Sequence, residues 1–206
     1  MLKTGAHSDP AELRFDKVAR FYDAVNSIVE PFSSRHRKRI LSKVRGSILE
    51  IGVGTGCSFK DYPPGQSIVA VDISQGMLSR AEEKRRQYDG SIELRREDVQ
   101  NLSFRDESFD TIFCSWVFCS VTDPIRGLSQ LRRVLKKGGQ LLMLEHVRTK
   151  NRILGYVMDG LKPLVARVGI DNTNRNTIEY LRKAGFKIEE ERNIAYDMAK
   201  AIVAVK

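Results

Sequence analysis

Apolar positions along the chain follow two periods, and the switch between them outlines the architecture. Across residues 12–41, Val18, Phe21, Tyr22, Val25, Ile28, Val29 and Phe32 recur at spacings of three and four. They make one stripe along one or two helices interrupted near Pro31. From Ser47 onward, short apolar runs alternate with helical stretches. The runs 47–51 (SILEI) and 68–71 (IVAV) predict two strands. A helix over 75–88 follows, with Ser74 as its N-cap. Further strands are expected at 91–96 and 110–115. Asp123-Pro124 opens a helix that runs to Lys136 and closes at Gly138-Gly139. Another strand spans 140–145.

Beyond Glu145 the alternation loosens. Residues 151–168 carry an amphipathic stripe (Ile153, Leu154, Val157, Met158, Leu161, Leu164, Val165) with Pro163 inside it. A helix over 174–184 ends at Gly185, and two closing strands, 186–191 and 201–205, are near enough to pair antiparallel without a crossover. Strands alternating with helices predict an α/β fold whose parallel sheet is covered on both faces.

Composition sets the outer limits. A chain of 206 residues with 41% hydrophobic and 30% charged positions makes one soluble globular domain with a sizeable core. No apolar run approaches the roughly 20 residues that span a bilayer. The opening MLKTGAHSDPAELRF has no apolar core of a secretory signal. Three cysteines, Cys57, Cys114 and Cys119, without CxxC spacing argue against a disulfide framework or a zinc site. A cytoplasmic protein is the expectation, with peripheral contact on a membrane as an extension of it. The net charge of +9 is spread over RHRKR at 35–39 and several shorter basic runs. Such a surface attracts nucleic acid, anionic lipid or acidic small molecules alike, and it also serves as a solvated face rich in ion pairs.

Candidate chemistry gathers where the strands end. Glu50-Ile51-Gly52-Val53-Gly54-Thr55-Gly56 closes the first strand, and its glycines let the chain turn and let backbone amides approach a ligand. The spacing is G-x-G-x-G, not the G-x-G-x-x-G of dinucleotide sites, and no Walker GK[ST] follows. Asp72 ends the second strand, 16 residues past Gly56, where a carboxylate can accept both hydroxyls of an adenosyl ribose. Asp98 and Val99 follow the third strand, and Cys114 and Ser115 end the fourth. Glu145-His146 stands at the mouth of the fifth, with His146 a candidate general base. All these positions lie at carboxyl ends of strands, the crevice in which open α/β sheets bind ligands.

These stretches, LEIGVGTG, VDIS-x-x-ML, REDVQNLSF-x-DESFD and RVLKKGGQLL, resemble the class I S-adenosylmethionine-dependent methyltransferases across residues 48–143. The resemblance implies a Rossmann-like, seven-stranded, mostly parallel sheet of order 3-2-1-4-5-7-6 with strand seven antiparallel, plus N-terminal lid helices. It implies S-adenosyl-L-methionine as cofactor. Gly52, Gly54 and Gly56 would line the methionine part, Asp72 would hold the ribose, and Ile73 and Met77 would pack on adenine. Asp98 and Val99 would read the adenine edge, with the carbonyl of Cys114 or Ser115 taking its amino group. Glu50 would order the loop and meet the cofactor through water. The stretch FDKVARFYDAVNSI resembles the lid helix of quinone C-methyltransferases, which would set Tyr22 over the cofactor or, as an ordinary stripe aromatic, in packing. The whole chain, 1–206, then reads as one domain: lid helices over 1–45, a cofactor half over 46–145 and an acceptor-side insert with the last helix and strands over 146–206.

The acceptor is less sharply marked. YPPG, VFCSVTDP, LEHV and NRNTIEYLRKAGF are similar to stretches of thiol S-methyltransferases and of bacterial phospholipid N-methyltransferases. The insert after strand five departs from the quinone enzymes. SWVF stands where enzymes acting on exocyclic amines of bases carry [DNS]PP[YFW], which disfavours nucleic acid. The expectation is methyl transfer to a small, lipophilic or membrane-associated acceptor (phospholipid amine, quinone or thiol), with an anionic membrane surface as partner. The alternatives are an RNA or protein methyltransferase recruited by the basic surface, and a non-catalytic cofactor-binding subunit.

Overall fold

A computed structural model describes residues 12, 15, 16, 19, 22–24, 27, 30–147, 160, 175–195 and 199–206. The stripe of the 151–168 insert, and Val18, Phe21, Val25, Ile28 and Val29 of the N-terminal stripe, lie outside those residues. Glu12, Phe15, Asp16, Ala19 and residues 22–24 are helical, and Ser27 lies in a turn. Helix α1 (Glu30–Leu41) begins one residue before Pro31. The break expected near that proline is therefore a boundary between helices, with proline in a first turn where its missing N–H costs nothing.

The sheet runs through β1 (Ile48–Ile51), β2 (Ser67–Asp72), β3 (Ser91–Arg96), β4 (Phe109–Ser115), β5 (Leu135–His146), β6 (Lys187–Ala195) and β7 (Ala199–Val205). Its order is β3-β2-β1-β4-β5-β7-β6. β1 pairs in parallel with β2 and β4, and β7 runs antiparallel to both β5 and β6. This is the order and direction expected from the sequence. Helices α2 (Gln75–Arg85), α3 (Pro124–Val134) and α4 (Thr177–Lys183) and a short 3-10 turn of helix at Phe59–Asp61 accompany the strands. Among the described residues no helix is long and apolar enough to cross a membrane.

Two apolar clusters cover the sheet. One gathers Leu49, Ile51, Ile112, Leu128, Leu131, Met143 and Ile202; the other Ile40, Leu41, Ile48, Phe59, Phe113, Leu142 and Val203. Ile48 and Leu49 of β1, and Leu141 to Leu144 of β5, alternate between them, which is why these stretches read as apolar on both faces.

Caps explain the helix starts. Ser74 accepts from the Met77 N–H at 3.1 Å, Asp123 from the Arg126 N–H at 3.0 Å, and Asn176 from the Glu179 N–H at 3.3 Å. The helix ends shift from expectation. α2 stops at Arg85, not Tyr88, and α4 starts at Thr177, not Asn174. The α3–β5 junction is corrected more substantially: the helix ends at Val134, and β5 begins at once with Leu135 paired to Phe109. Gly138-Gly139 do not close the helix but carry a register shift before Thr111 pairs with Gln140. Gly138 stands at φ 73°, a conformation that favours glycine.

Candidate functional site

Strand order reverses between β1 and β4, and a cleft opens there at the carboxyl ends of β1 to β4. The three glycines after β1 all have positive φ, but each meets a different surrounding. A Cβ on Gly52 (φ 65°) would strike Val117 Cγ2. On Gly56 (φ 77°) it would lie 2.6 Å from the Phe59 ring, so Gly56 lets that ring and helix α2 pack closely and does not line the cleft. Gly54 (φ 56°) has nothing within 4 Å on its Cβ side and faces open cleft. Its N–H donates to Asp72 Oδ2 at 2.8 Å, while the Ser74 N–H donates to Oδ1 at 2.9 Å. Asp72 thus ties the first strand–helix turn to the second. Each of its oxygens keeps a lone pair for a further donor. Burial raises the Asp72 pKa, and the amides of Ser74, Gly54 and Ile73 restrain that rise by favouring the anion.

Ile51, Val71, Ile73, Met77 and Val99 give the cleft an apolar wall, with Glu97, Asp98, Gln100 and Ser115 among its polar lining. Asp98 Oδ1 accepts the Gln100 N–H at 2.8 Å. The buried Ser115 hydroxyl has no hydrogen-bond partner among the described residues. From the N-terminal helix, Phe15 and Tyr22 reach the cleft. Burial, chiefly, and the nearby Cys57 push the Tyr22 phenol up to about 12, so it stays neutral.

Two aspartates fasten that helix. Asp16 Oδ1 accepts the Ser74 hydroxyl at 2.5 Å and the Gly76 N–H at 2.8 Å, at the amino end of α2 where a negative charge is favoured. Asp23 accepts Thr55 Oγ1 at 2.5 Å and Lys84 Nζ at 2.8 Å. The sequence reading did not single out these two acids. A signal was available: they stand seven residues apart, two helical turns, on either side of Tyr22's turn.

Besides Gly56, three of the sequence candidates lie beneath or beside the cleft and do not line it. Glu50 is buried and accepts Ser58 Oγ at 2.6 Å; burial lifts its pKa to about 7, and its Oε2 has no partner among the described residues. The Cys114 side chain is fully buried, its thiol pushed well up by burial. His146 packs its ring on Trp116, centroids 4.4 Å apart and planes at 40°. Burial lowers its pKa to about 4, and Nδ1 has no partner among the described residues. The Arg37 of the basic run is another correction to the surface picture. It is buried, donating from Nε to Asp61 Oδ2 at 2.7 Å and from Nη2 to Glu30 Oε1 at 2.5 Å, and it moors α1 to the turn after β1.

An open α/β sheet with a glycine turn, a buried carboxylate and an apolar cleft at its switch point is a scaffold on which small ligands bind. Comparison with known proteins agrees. Residues 49–143 match the methyltransferase domain model. The chain is 36% identical over 119 residues to a phosphatidylethanolamine N-methyltransferase of Cereibacter sphaeroides, covering 55% of this chain and 59% of that protein. It is 32% identical over 187 residues to a demethylmenaquinone methyltransferase of Paenarthrobacter aurescens, covering 85% and 71%. It is 31% identical over 144 residues to a human thiol S-methyltransferase, covering 62% and 58%. The chain thus spans somewhat under two thirds of the first and third of these relatives. A methyltransferase structure from Thermotoga maritima superposes with a TM-score of 0.71 at 23% identity, over 94% of this chain and 99% of that one, and shares the fold. The chain belongs to the S-adenosylmethionine-dependent methyltransferases, and S-adenosylmethionine is the cofactor that family membership implies.

Proposed function

We propose that this protein transfers a methyl group from S-adenosylmethionine to a small lipophilic acceptor of the quinone, thiol or phospholipid-amine kind, at or near an anionic membrane surface. The observation that carries the donor half is Asp72, held by two backbone amides at the rim of a cleft into which Gly54 presents no side chain. The pre-set carboxylate would accept the ribose hydroxyls, and Gly52 and Gly54 would admit the methionine end. Ile73, Met77 and Val99 would sandwich adenine, with Asp98, Ser115 and the Cys114 carbonyl near its polar edge. Tyr22 and Phe15 would close the cleft from above and exclude water. Glu50 and Gly56 would act from below, by holding the loop in shape.

When bound, the cofactor supplies a sulfonium methyl, an electrophile that needs its acceptor aligned. Orientation alone can contribute on the order of 7–11 kcal/mol to such a reaction. His146 is neutral down to about pH 4, which is low for a general base working near neutrality. It suits an acceptor that already presents a lone pair, such as an amine or thiolate, better than one whose proton must be removed. The three acceptor classes are those expected from the sequence, and relatives named for each of them support the set.

Calorimetric titration tests the donor half. Asp72→Ala should weaken S-adenosylmethionine binding by roughly 1–3 kcal/mol through lost hydrogen bonds. Unchanged affinity would remove the assignment of this acid. Labelled cofactor incubated with a total lipid and metabolite extract should yield a labelled apolar product; label in RNA or protein alone would overturn the acceptor class.

A further inference from the structure

The wall facing the glycine turn is the segment after β4, and its backbone is gripped from two sides. Three consecutive amides leave β4 bound to the end of β5. The Trp116 N–H donates to the Leu144 carbonyl at 2.8 Å, and the Val117 and Phe118 N–H groups both donate to Glu145 Oε1 at 3.0 Å. On the outer side, Arg175 Nη1 donates to the Phe118 carbonyl at 2.9 Å and the Val121 carbonyl at 2.6 Å. The Phe118 residue is therefore held by its N–H through a carboxylate and by its C=O through a guanidinium. Trp116, at the start of this wall, has φ 61°, an uncommon conformation for a bulky residue, and one that persists only where surroundings impose it. Glu145 is fully buried, and its Oε2 has no partner among the described residues.

The grip reaches the donor side through one contact. Gly52 has room for no side chain because Val117 Cγ2 occupies the place of its Cβ. Moving the Val117 backbone therefore moves the group that presses on the glycine turn. The wall's other cleft residues, Ser120 and Val121, follow the same anchored stretch.

We propose that Glu145, backed by Arg175, is a positioning residue. It sets the spacing between the glycine turn and the Trp116–Val121 wall, and with it where an acceptor meets the methyl donor. The proposal rests on the donor assignment made above. Glu145 touches neither partner and acts through the Val117 and Phe118 amides. Its replacement by leucine would leave both N–H groups without an acceptor, in a stretch where Phe118 itself is buried. Replacement by glutamine would keep one oxygen for both donors.

Trp116 is the sole tryptophan and lines the cleft, so its fluorescence reports the wall directly, with or without ligand. Three variants, E145L, E145Q and R175M, would be compared by acrylamide quenching of Trp116, by titration with S-adenosylmethionine and by thermal melting. E145L should raise quenching at least twofold and weaken donor binding about tenfold in protein that remains folded, and E145Q should restore both to within about twofold. R175M, which frees only the outer side, should show the same changes at smaller amplitude. A folded E145L with wild-type quenching and wild-type affinity overturns the proposal. So does an E145L that merely melts lower, with both readouts unmoved at a temperature where it is folded. Should E145L not fold, R175M decides: unchanged quenching and affinity there overturn it equally. If the wild type itself binds no donor, the donor assignment fails, while quenching still tests the grip.

Discussion

Glu50 and Glu145 are carboxyls buried on the strands that flank β4, and burial lifts each pKa to about 7. The unfolded chain returns them to ordinary values near 4.5, so the folded state binds the extra protons between those limits. Their contribution to stability is fully present below about pH 4.5 and is lost as pH rises through 7. His146 works the other way: its folded pKa, lowered to about 4, gives a contribution present above about pH 6.5 and lost as pH falls through 4. Two groups against one leave a net loss toward alkaline pH from this set. E50Q removes one of the two while still offering its amide oxygen to Ser58. Its melting temperature should therefore fall less than wild type's between pH 5 and pH 8. The difference should reach several degrees, since 1 kcal/mol moves Tm by about 2–4 °C in a chain of this size. Parallel curves for the two proteins would sink the assignment of Glu50 as a group that titrates near neutrality. Sequence reading placed Glu50 and His146 at the strand ends, because strand ends are visible as places where apolar runs stop. It did not show that both lie under the cleft and outside its lining, because depth along the strand and side-chain direction are set by packing across the sheet.

At the scale of elements, the N-terminal helix is fastened at two points of unequal strength. Asp16 meets the buried Ser74 and the Gly76 amide in the first turn of α2. Asp23 likewise accepts from a buried hydroxyl, Thr55, but its second donor is Lys84, in a pair whose side chains remain 32% and 46% exposed and where solvent screening leaves an ion pair about 0–1 kcal/mol. If this helix covers bound cofactor through Phe15 and Tyr22, D16A should speed product release more than D23A. Stopped-flow quenching or recovery of Trp116 fluorescence, on displacement of S-adenosylhomocysteine, reads this directly. An acceleration of roughly 3–10-fold is expected for D16A, the loss of one or two hydrogen bonds of about 0.5–1.5 kcal/mol each. Equal off-rates in D16A, D23A and wild type would mean that the helix does not gate the cleft. The apolar stripe announced this helix, since a period of 3.6 is written in the sequence. Its fastening was illegible because Ser74 and Thr55 lie 58 and 32 residues from their partners. The α3–β5 junction failed for a related reason: Leu135 to Gly139 look like a helix end locally, and only pairing of Leu135 with Phe109 makes them strand.

Over the whole molecule, the net charge of +9 is not spread evenly, and the uneven part has a defined location. Arg35, Lys38 and Arg39 project from α1, and among the described residues no acid pairs with them or with Arg192 of β6. Arg192, Arg35 and Arg39 converge on His36; after burial, their fields hold its pKa below the ordinary value. Phe32, 46% exposed, stands against His36 with ring centroids 4.5 Å apart. Arg192 pairs with Ala201, which pairs with Leu144, so this basic face lies level with the carboxyl end of β5, two strands away. If the proposed acceptor is drawn from a bilayer, this face is the one expected to meet the surface. Each cation near an anionic surface contributes on the order of 1 kcal/mol, and the attraction fades within a Debye length as salt rises. The protein should therefore co-sediment with vesicles of phosphatidylcholine containing phosphatidylserine, and not with phosphatidylcholine alone. Retention should fall by at least tenfold between about 50 and 500 mM salt. Reversing Arg35 and Arg39 to glutamate should abolish retention, while Phe32→Ser should weaken it at every salt concentration, because an inserted ring is not screened. If the double reversal leaves sedimentation unchanged, or if RNA competes the protein off vesicles at equal phosphate, this face is not a lipid-docking surface. In that event the acceptor must reach the cleft from solution.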